Sequence, residues 1–329
     1  MTEKVNIGVL GGGAWGTALA QNIAQSERDV VLWAREEEVV KSINESHENV
    51  LFLPTIPLSE RITATSNLEE ASKCDILLVV TPAQFARDLF KSIAPFTKKG
   101  QPIVICSKGI EIETGKLLSQ VLEEEIPEAI CAVMTGPTFA TEIAHGKPSA
   151  MTLAVKDKDT ARALREVLST KTLRTYITDD VIGVQLAGAV KNVIAIASGI
   201  VHGLDFGESA RAALVTRGLA EMGRLGSAMG AQKETLMGMC GIGDLMLTAS
   251  SLQSRNFSLG VLLGEGKTLD EILESRNSVT EGVHTSKALM TLAKNNAVEM
   301  PIAEAVYKCL NKNIPINEII DEILERPLP

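Results

Sequence analysis

Short unbroken apolar runs recur along the first half of the chain, separated by stretches in which apolar positions return at helical spacing. Ile76-Leu77-Leu78-Val79-Val80 is the clearest of these runs, and its lack of polar alternation predicts a strand covered on both faces. The same reading predicts strands at Val5–Leu10, Asp29–Trp33, Ile62–Ala64, Asp75–Val80, Ile103–Cys106, Cys131–Met134, Ala150–Val155 and Leu173–Ile177. Strands alternating with helices build a Rossmann-like, doubly wound α/β sheet. At Thr178-Asp179-Asp180 the character changes. These are helix-capping residue types, and from there to the C-terminus the spacing is helical with no convincing strand. The pattern therefore predicts an α/β domain over residues 1–180 followed by an all-α domain over 181–329, with the tail Arg326-Pro327-Leu328-Pro329 frayed.

Ligands of such sheets bind beyond the carboxyl ends of the strands, and the unusual residues of this chain fall there. Gly11, Gly13 and Gly16 follow the first strand and fit G-x-G-x-x-G. The first glycine permits a tight turn, the second lets backbone approach a pyrophosphate, and the third lets the helix pack close to the strand. A pyrophosphate would sit on unpaired N–H groups at the positive end of that helix. A glycine-rich turn of this kind also arises for packing alone, so the motif needs its context. Arg35 follows the second strand, Thr81-Pro82 the fourth, Ser107-Lys108-Gly109 the fifth and Thr135-Gly136-Pro137-Thr138 the sixth, which predicts a continuous crevice along one edge. An NAD-selective site places an acidic side chain at the end of the second strand to bind the ribose 2′-hydroxyl. Arg35 stands there instead and favours a 2′-phosphate, while Glu36, Glu37 and Glu38 read as the opening of a solvated helix. The expected cofactor is NADP(H), with NAD(H) tolerated.

The 329 residues suffice for two cores, and 45% hydrophobic with 22% charged residues is ordinary for a soluble globular protein. A net charge of -9 argues against a general binder of nucleic acid or anionic membrane, so an anionic ligand must be held by a few local cations. The five cysteines form no C-x-x-C and have no clustered histidine, which predicts reduced structural thiols and no metal site. A first strand starting at Val5 leaves no room for a signal peptide ahead of it, so a cytoplasmic protein is expected.

In the second half, Val181–Leu204 is a long apolar run whose only ordinarily charged residue is Lys191. A membrane span is one reading, opposed by the roughly 2.5–3.5 kcal/mol cost of a central lysine. A core-helix lysine that snorkels to water is a second. In the third, the ammonium faces the crevice, where burial lowers its pKa and suits it to proton transfer, with the Asn192 amide beside it. Asp244 either caps a helix or orients Lys191 with a carboxylate, and Thr248 lies one helical turn on, able to face the same side. Arg255, between Ser254 and Asn256 at a helix start, is either a phosphate ligand or a solvated surface arginine.

Taken in order, five segments resemble the bacterial NAD(P)-dependent glycerol-3-phosphate dehydrogenase family. They are Gly11–Gly16 with Trp15; Ser107-Lys108-Gly109-Ile110-Glu111; Gly136-Pro137-Thr138-Phe139-Ala140 with Glu142; Ala189-Val190-Lys191-Asn192-Val193-Ile194-Ala195; and Asp244 through Ser254-Arg255-Asn256. Glu281-Gly282-Val283-His284-Thr285 also resembles the family's late cofactor loop. The resemblance implies reversible reduction of dihydroxyacetone phosphate to sn-glycerol 3-phosphate, the backbone precursor of phospholipids. Apolar helical domains of this kind commonly pair, so a homodimer is expected, one that is not an integral membrane protein and does not bind nucleic acid. The resemblance also implies catalytic roles for Lys191, Asp244 and Lys108, with Lys191 as proton donor and acceptor. Lys108, Gly136, Thr138, Lys191, Asp244, Ser254, Arg255 and Asn256 would line the substrate pocket. Gly11, Gly13, Ala14, Trp15, Gly16, Arg35, Lys108, Ala140, Arg255, Val279 and Glu281 would hold the dinucleotide. Ala14 stands where similar sequences often carry Ser, so one pyrophosphate contact is expected to be missing. A β-hydroxyacid dehydrogenase is the nearest rival, but its lysine helix spaces the amide partner further along than the adjacent Lys191 and Asn192. A dinucleotide-sensing regulator would need a basic DNA-reading module, which the acidic balance does not offer.

Overall fold

The computed structural model describes residues 5–275, 280–312 and 314–325. Val279 and the tail Arg326–Pro329 lie outside the described residues. The chain forms two compact units, one of Met1–Ser107 with Leu118–Val181 and the other of Lys108–Leu117 with Ile182–Pro329.

The first unit is an eight-stranded sheet of β1 (Ile7–Leu10), β2 (Val30–Trp33), β3 (Ile62–Thr65), β4 (Ile76–Val79), β5 (Pro102–Ile105), β6 (Ile130–Thr135), β7 (Ser149–Val155) and β8 (Leu173–Thr178). Every expected strand forms. The spatial order is β3-β2-β1-β4-β5-β6-β7-β8, and all neighbours are parallel except β6 and β7. The helices between them are α1 (Ala14–Ala24), α2 (Glu37–Ser46), α3 (Leu68–Ser72), α4 (Ala86–Ile93), α5 (Leu118–Glu125), α6 (Ala140–Ala144) and α7 (Lys158–Leu168). All four residues of β1 and of β4 are buried, which is why those segments carry no alternation. β1 pairs with both β2 and β4, with Leu10 level with Trp33 and Val79. The strand order reverses there, and the loops leaving β1 and β4 open at the switch point where such sheets take their ligands.

The second unit contains α8 (Val181–Gly203), α9 (Glu208–Ala228), α10 (Lys233–Leu236), α11 (Asp244–Thr248), α12 (Arg255–Gly264), α13 (Leu269–Glu274), α14 (Glu281–Asn295), α15 (Pro301–Lys312) and α16 (Ile316–Leu324). α8 is long and apolar enough to cross a membrane, yet 94% of its most apolar window is buried within the protein's own packing. The sequence pattern divides the chain once, near Asp180, whereas here Lys108–Leu117 groups with the helices. The reason is burial. Ile110 and Leu117 are 0% and 1% exposed and belong to the helical core, and a bridge between them closes the segment into a small loop.

Candidate active site

In the first unit, the N–H of Gly11 donates to the Trp33 carbonyl at 3.0 Å, tying the turn after β1 to the end of β2. Gly11 has φ of +134°, a conformation that favours glycine. A Cβ on Gly16 would lie 1.9 Å from the Gly11 carbonyl oxygen, so this position admits no side chain. Gly13 differs: it is exposed, and a Cβ there would meet nothing within 4 Å. Packing does not demand glycine at 13. An open cradle before the first turn of α1 fits close backbone approach by a pyrophosphate. Beside it, the buried Trp15 Nε1 has no hydrogen-bond partner. Arg35 is exposed and pairs with Glu36 at 3.2 Å, just past the end of β2, and Glu37 and Glu38 open α2 as the sequence suggests.

Thr135 ends β6, 2% exposed, and its Oγ1 has no partner. A Cβ on the next residue, Gly136, would lie 2.8 Å from the Ala150 carbonyl oxygen, and Thr138 Oγ1 donates to the Gly136 carbonyl at 3.3 Å. Ala140 opens α6.

The helical unit holds a buried charge cluster. Lys191, in α8, is 4% exposed, and its Nζ donates to Asp244 Oδ1 at 2.5 Å and to Thr248 Oγ1 at 2.8 Å. Lys108 Nζ reaches the other carboxylate oxygen, Oδ2, at 2.9 Å, and Thr248 Oγ1 donates to Oδ1 at 3.2 Å. The snorkelling and membrane readings of Lys191 fall away. Asp244 is 0% exposed and does not cap α11; a π-helical turn over Met239–Gly243 leads into it, with Gly243 at the cap position. Burial pushes the Lys191 ammonium down to about 7, with Asp244 pulling upward and Lys108 adding to the lowering. Burial alone would raise the Asp244 carboxyl, but Lys108 and Lys191 together outweigh it and hold the group below its usual range. The cluster thus couples an ionised carboxylate to a lysine poised to gain or lose a proton near neutrality.

The amides continue this arrangement. Asn192 Oδ1 accepts from Asn256 Nδ2 at 3.0 Å, and Asn256 Oδ1 accepts from the N–H of Gly282 at 3.0 Å. The helix carrying Lys191 is thereby pinned to the starts of α12 and α14. Ser254 caps α12, its Oγ accepting from the Phe257 N–H at 3.2 Å. Arg255 stands at the first position of that helix, where loss of solvent around its guanidinium lowers its pKa and the charge of Glu281, which opens α14, opposes that shift. Thr280, 3% exposed, has an unpartnered Oγ1. Thr135 falls in the strand-end segment from which the sequence predicts a crevice but is given no role there, and Thr280, which adjoins Glu281, is not singled out by the sequence. No group of three or more His, Cys, Asp or Glu able to hold a metal occurs among the described residues.

Two family models divide the chain between them. Residues 6–161 match the N-terminal model of NAD-dependent glycerol-3-phosphate dehydrogenase, and residues 180–321 match the C-terminal one. The chain belongs to the NAD-dependent glycerol-3-phosphate dehydrogenase family. It is 53% identical over 321 residues to glycerol-3-phosphate dehydrogenase [NAD(P)+] of Parvibaculum lavamentivorans, covering 98% of this chain and 96% of that protein. The protein of the same name from Rhodospirillum rubrum is 51% identical over 324 residues, covering 98% and 93%. The crystal structure of glycerol-3-phosphate dehydrogenase from Coxiella burnetii superposes with a TM-score of 0.94 at 37% identity, covering 98% of this chain and 99% of that one. Family membership makes this chain an NAD(P)-dependent oxidoreductase.

Proposed function

We propose that the protein interconverts sn-glycerol 3-phosphate and dihydroxyacetone phosphate, with Lys191 as proton donor in ketone reduction and proton acceptor in alcohol oxidation. The observation that carries the reading is the buried Lys191–Asp244–Lys108 cluster. A nicotinamide dinucleotide held by the Gly11–Gly16 loop would supply the hydride in reduction and take it up in oxidation. As negative charge develops on the carbonyl oxygen, the Lys191 and Lys108 ammonium groups stabilise it and Lys191 delivers the proton. Asp244 stays ionised throughout and holds both ammonium groups in register through its two oxygens. Arg255, at a helix start, suits the substrate phosphate, whose binding energy helps to orient the carbonyl.

The site roles follow the same reading. Gly11, Gly13, Ala14, Trp15, Gly16, Arg35, Lys108, Ala140, Arg255, Val279 and Glu281 serve the dinucleotide. Lys108, Gly136, Thr138, Lys191, Asp244, Ser254, Arg255 and Asn256 serve the substrate. Arg35 makes NADP(H) the preferred cofactor, with NAD(H) tolerated, and the proton chemistry assigned to Lys191 asks for no metal. We place residues 1–180, apart from the 108–117 loop that groups with the helices, as the dinucleotide domain, and that loop with residues 181–329 as the substrate domain, of a cytoplasmic homodimer that supplies glycerol 3-phosphate to phospholipid synthesis.

The test follows dinucleotide absorbance with dihydroxyacetone phosphate in the presence of a metal chelator. NADPH and NADH should both be oxidised, with the higher kcat/KM for NADPH, and Arg35→Ala should erode that preference. Absence of oxidation by folded protein would sink the assignment.

A further inference from the structure

We infer that Asn49 is a positioning residue for the dinucleotide loop: it grips the Gly12 carbonyl so that the next N–H, that of Gly13, faces the pyrophosphate. The inference rests on reading Gly11–Gly16 as the pyrophosphate loop. Asn49 lies beyond α2 and is 0% exposed. Its Nδ2 donates to the Gly12 carbonyl oxygen at 2.8 Å and to Thr17 Oγ1 at 2.8 Å. Thr17 Oγ1 in turn donates to the same Gly12 oxygen at 3.4 Å. The side chain is itself fixed, because Asn49 Oδ1 accepts from the Phe52 N–H at 3.0 Å, and the Leu53 N–H closes the turn on the Asn49 carbonyl at 2.9 Å. A fully buried side chain thus spends both its donors on or beside one carbonyl of the loop.

The consequence follows from peptide geometry. In a trans peptide the C=O of one residue and the N–H of the next lie in one plane and point in opposite directions. Gly12 is buried and Gly13 exposed, so holding the Gly12 oxygen inward turns the Gly13 N–H outward, and no described residue accepts from that N–H. Without a Cβ on either residue, the intervening peptide has little steric preference of its own and needs an external hold. Asn49 and Thr17 provide it. The open space at Gly13 is the side to which the donor is turned.

A merely structural asparagine would affect folding and all ligands alike, so the experiment separates pyrophosphate from the rest of the dinucleotide. ADP-ribose and adenosine are titrated into the full-length protein, the first by calorimetry and the second by NMR, alongside a thermal melt. Asn49→Leu, close in shape but with no donor, should weaken ADP-ribose about tenfold, the scale of one buried hydrogen bond, and leave adenosine unchanged. Thr17→Val should show the same pattern at about two- to threefold, since Asn49 still holds Gly12, and this carries the test if Asn49→Leu does not fold. Unchanged ADP-ribose affinity in either folded variant overturns the inference, as does equal weakening of both ligands. Failure of the unsubstituted protein to bind ADP-ribose would instead overturn the loop reading beneath it.

Discussion

Lys191 titrates near 7 because three influences of different sign meet at one buried nitrogen: desolvation and Lys108 lower its pKa, and Asp244 raises it. In the proposed role of Lys191, ketone reduction uses the protonated form, so its kcat should fall as pH rises through about 7, while alcohol oxidation, using the neutral form, should rise over the same interval. The two neighbours give opposite tests. Lys108→Met removes a like charge and should move the midpoint of both profiles to higher pH; Asp244→Asn removes the opposing charge and should move it lower. Lys191→Ala should abolish nearly all turnover and leave dinucleotide binding intact. Profiles of kcat against pH in both directions check these shifts, and a Lys108→Met midpoint that stays put or moves down contradicts the electrostatic account. Much of this cluster was legible in the sequence, because a lone lysine in an apolar helix and an Asp–Thr pair one turn apart each constrain where their side chains can go. Asn49 was not. Nothing local to His47-Glu48-Asn49 reveals that its amide reaches back to Gly12, since that contact exists only once α1 and α2 have packed on the sheet.

At the scale of elements, α8 and α12 approach backbone to backbone through glycines. A Cβ on Gly199 would lie 2.1 Å from the Phe257 carbonyl oxygen, on Gly260 2.1 Å from that of Ile196, and on Gly203 2.2 Å from that of Val261. These obstacles are backbone atoms and cannot rotate away. Gly260→Ala must therefore push the helices apart, at a cost of about 1–3 kcal/mol, or a fall in Tm of roughly 2–4 °C for each kcal/mol. Because Asn256 and Arg255 stand at the start of α12, the substrate KM should rise as well. Gly223→Ala on α9 is the control: its Cβ would meet nothing within 4 Å, so Tm should hold or rise slightly through better helix propensity. A Gly260→Ala protein as stable as the Gly223→Ala protein rules out close backbone packing as the reason for these glycines. The spacings Gly199 to Gly203 and Gly260 to Gly264 are visible in the sequence, but not that the two pairs face each other. The strands were easier to read, because burial on both faces of β1 and β4 leaves its mark within each segment alone.

At the scale of the whole molecule, the chain passes between units at Ser107–Lys108, Leu117–Leu118 and Val181–Ile182, so the helical unit is not a contiguous half. Its core includes Ile110 and Leu117, and its charge cluster includes Lys108, all from a loop that follows β5. A fragment of residues 182–329 keeps Lys191 and Asp244 but loses one of the two cations bonded to that carboxylate. It also loses two buried aliphatic side chains, each worth about 2–5 kcal/mol where truncation leaves a cavity. Domain stability totals only about 5–15 kcal/mol, so these losses consume most or all of it. The fragment should therefore show helical far-ultraviolet circular dichroism without a cooperative calorimetric transition, whereas the intact chain unfolds cooperatively. Adding the peptide 108–117 in trans should restore part of the transition, and Ile110→Ala with Leu117→Ala in the intact chain should lower the melting of the helical unit. Cooperative unfolding of the bare fragment close to the temperature of the intact protein would mean that the inserted loop is dispensable to the helical core, leaving the placement of Lys108 beside Asp244 as its whole contribution.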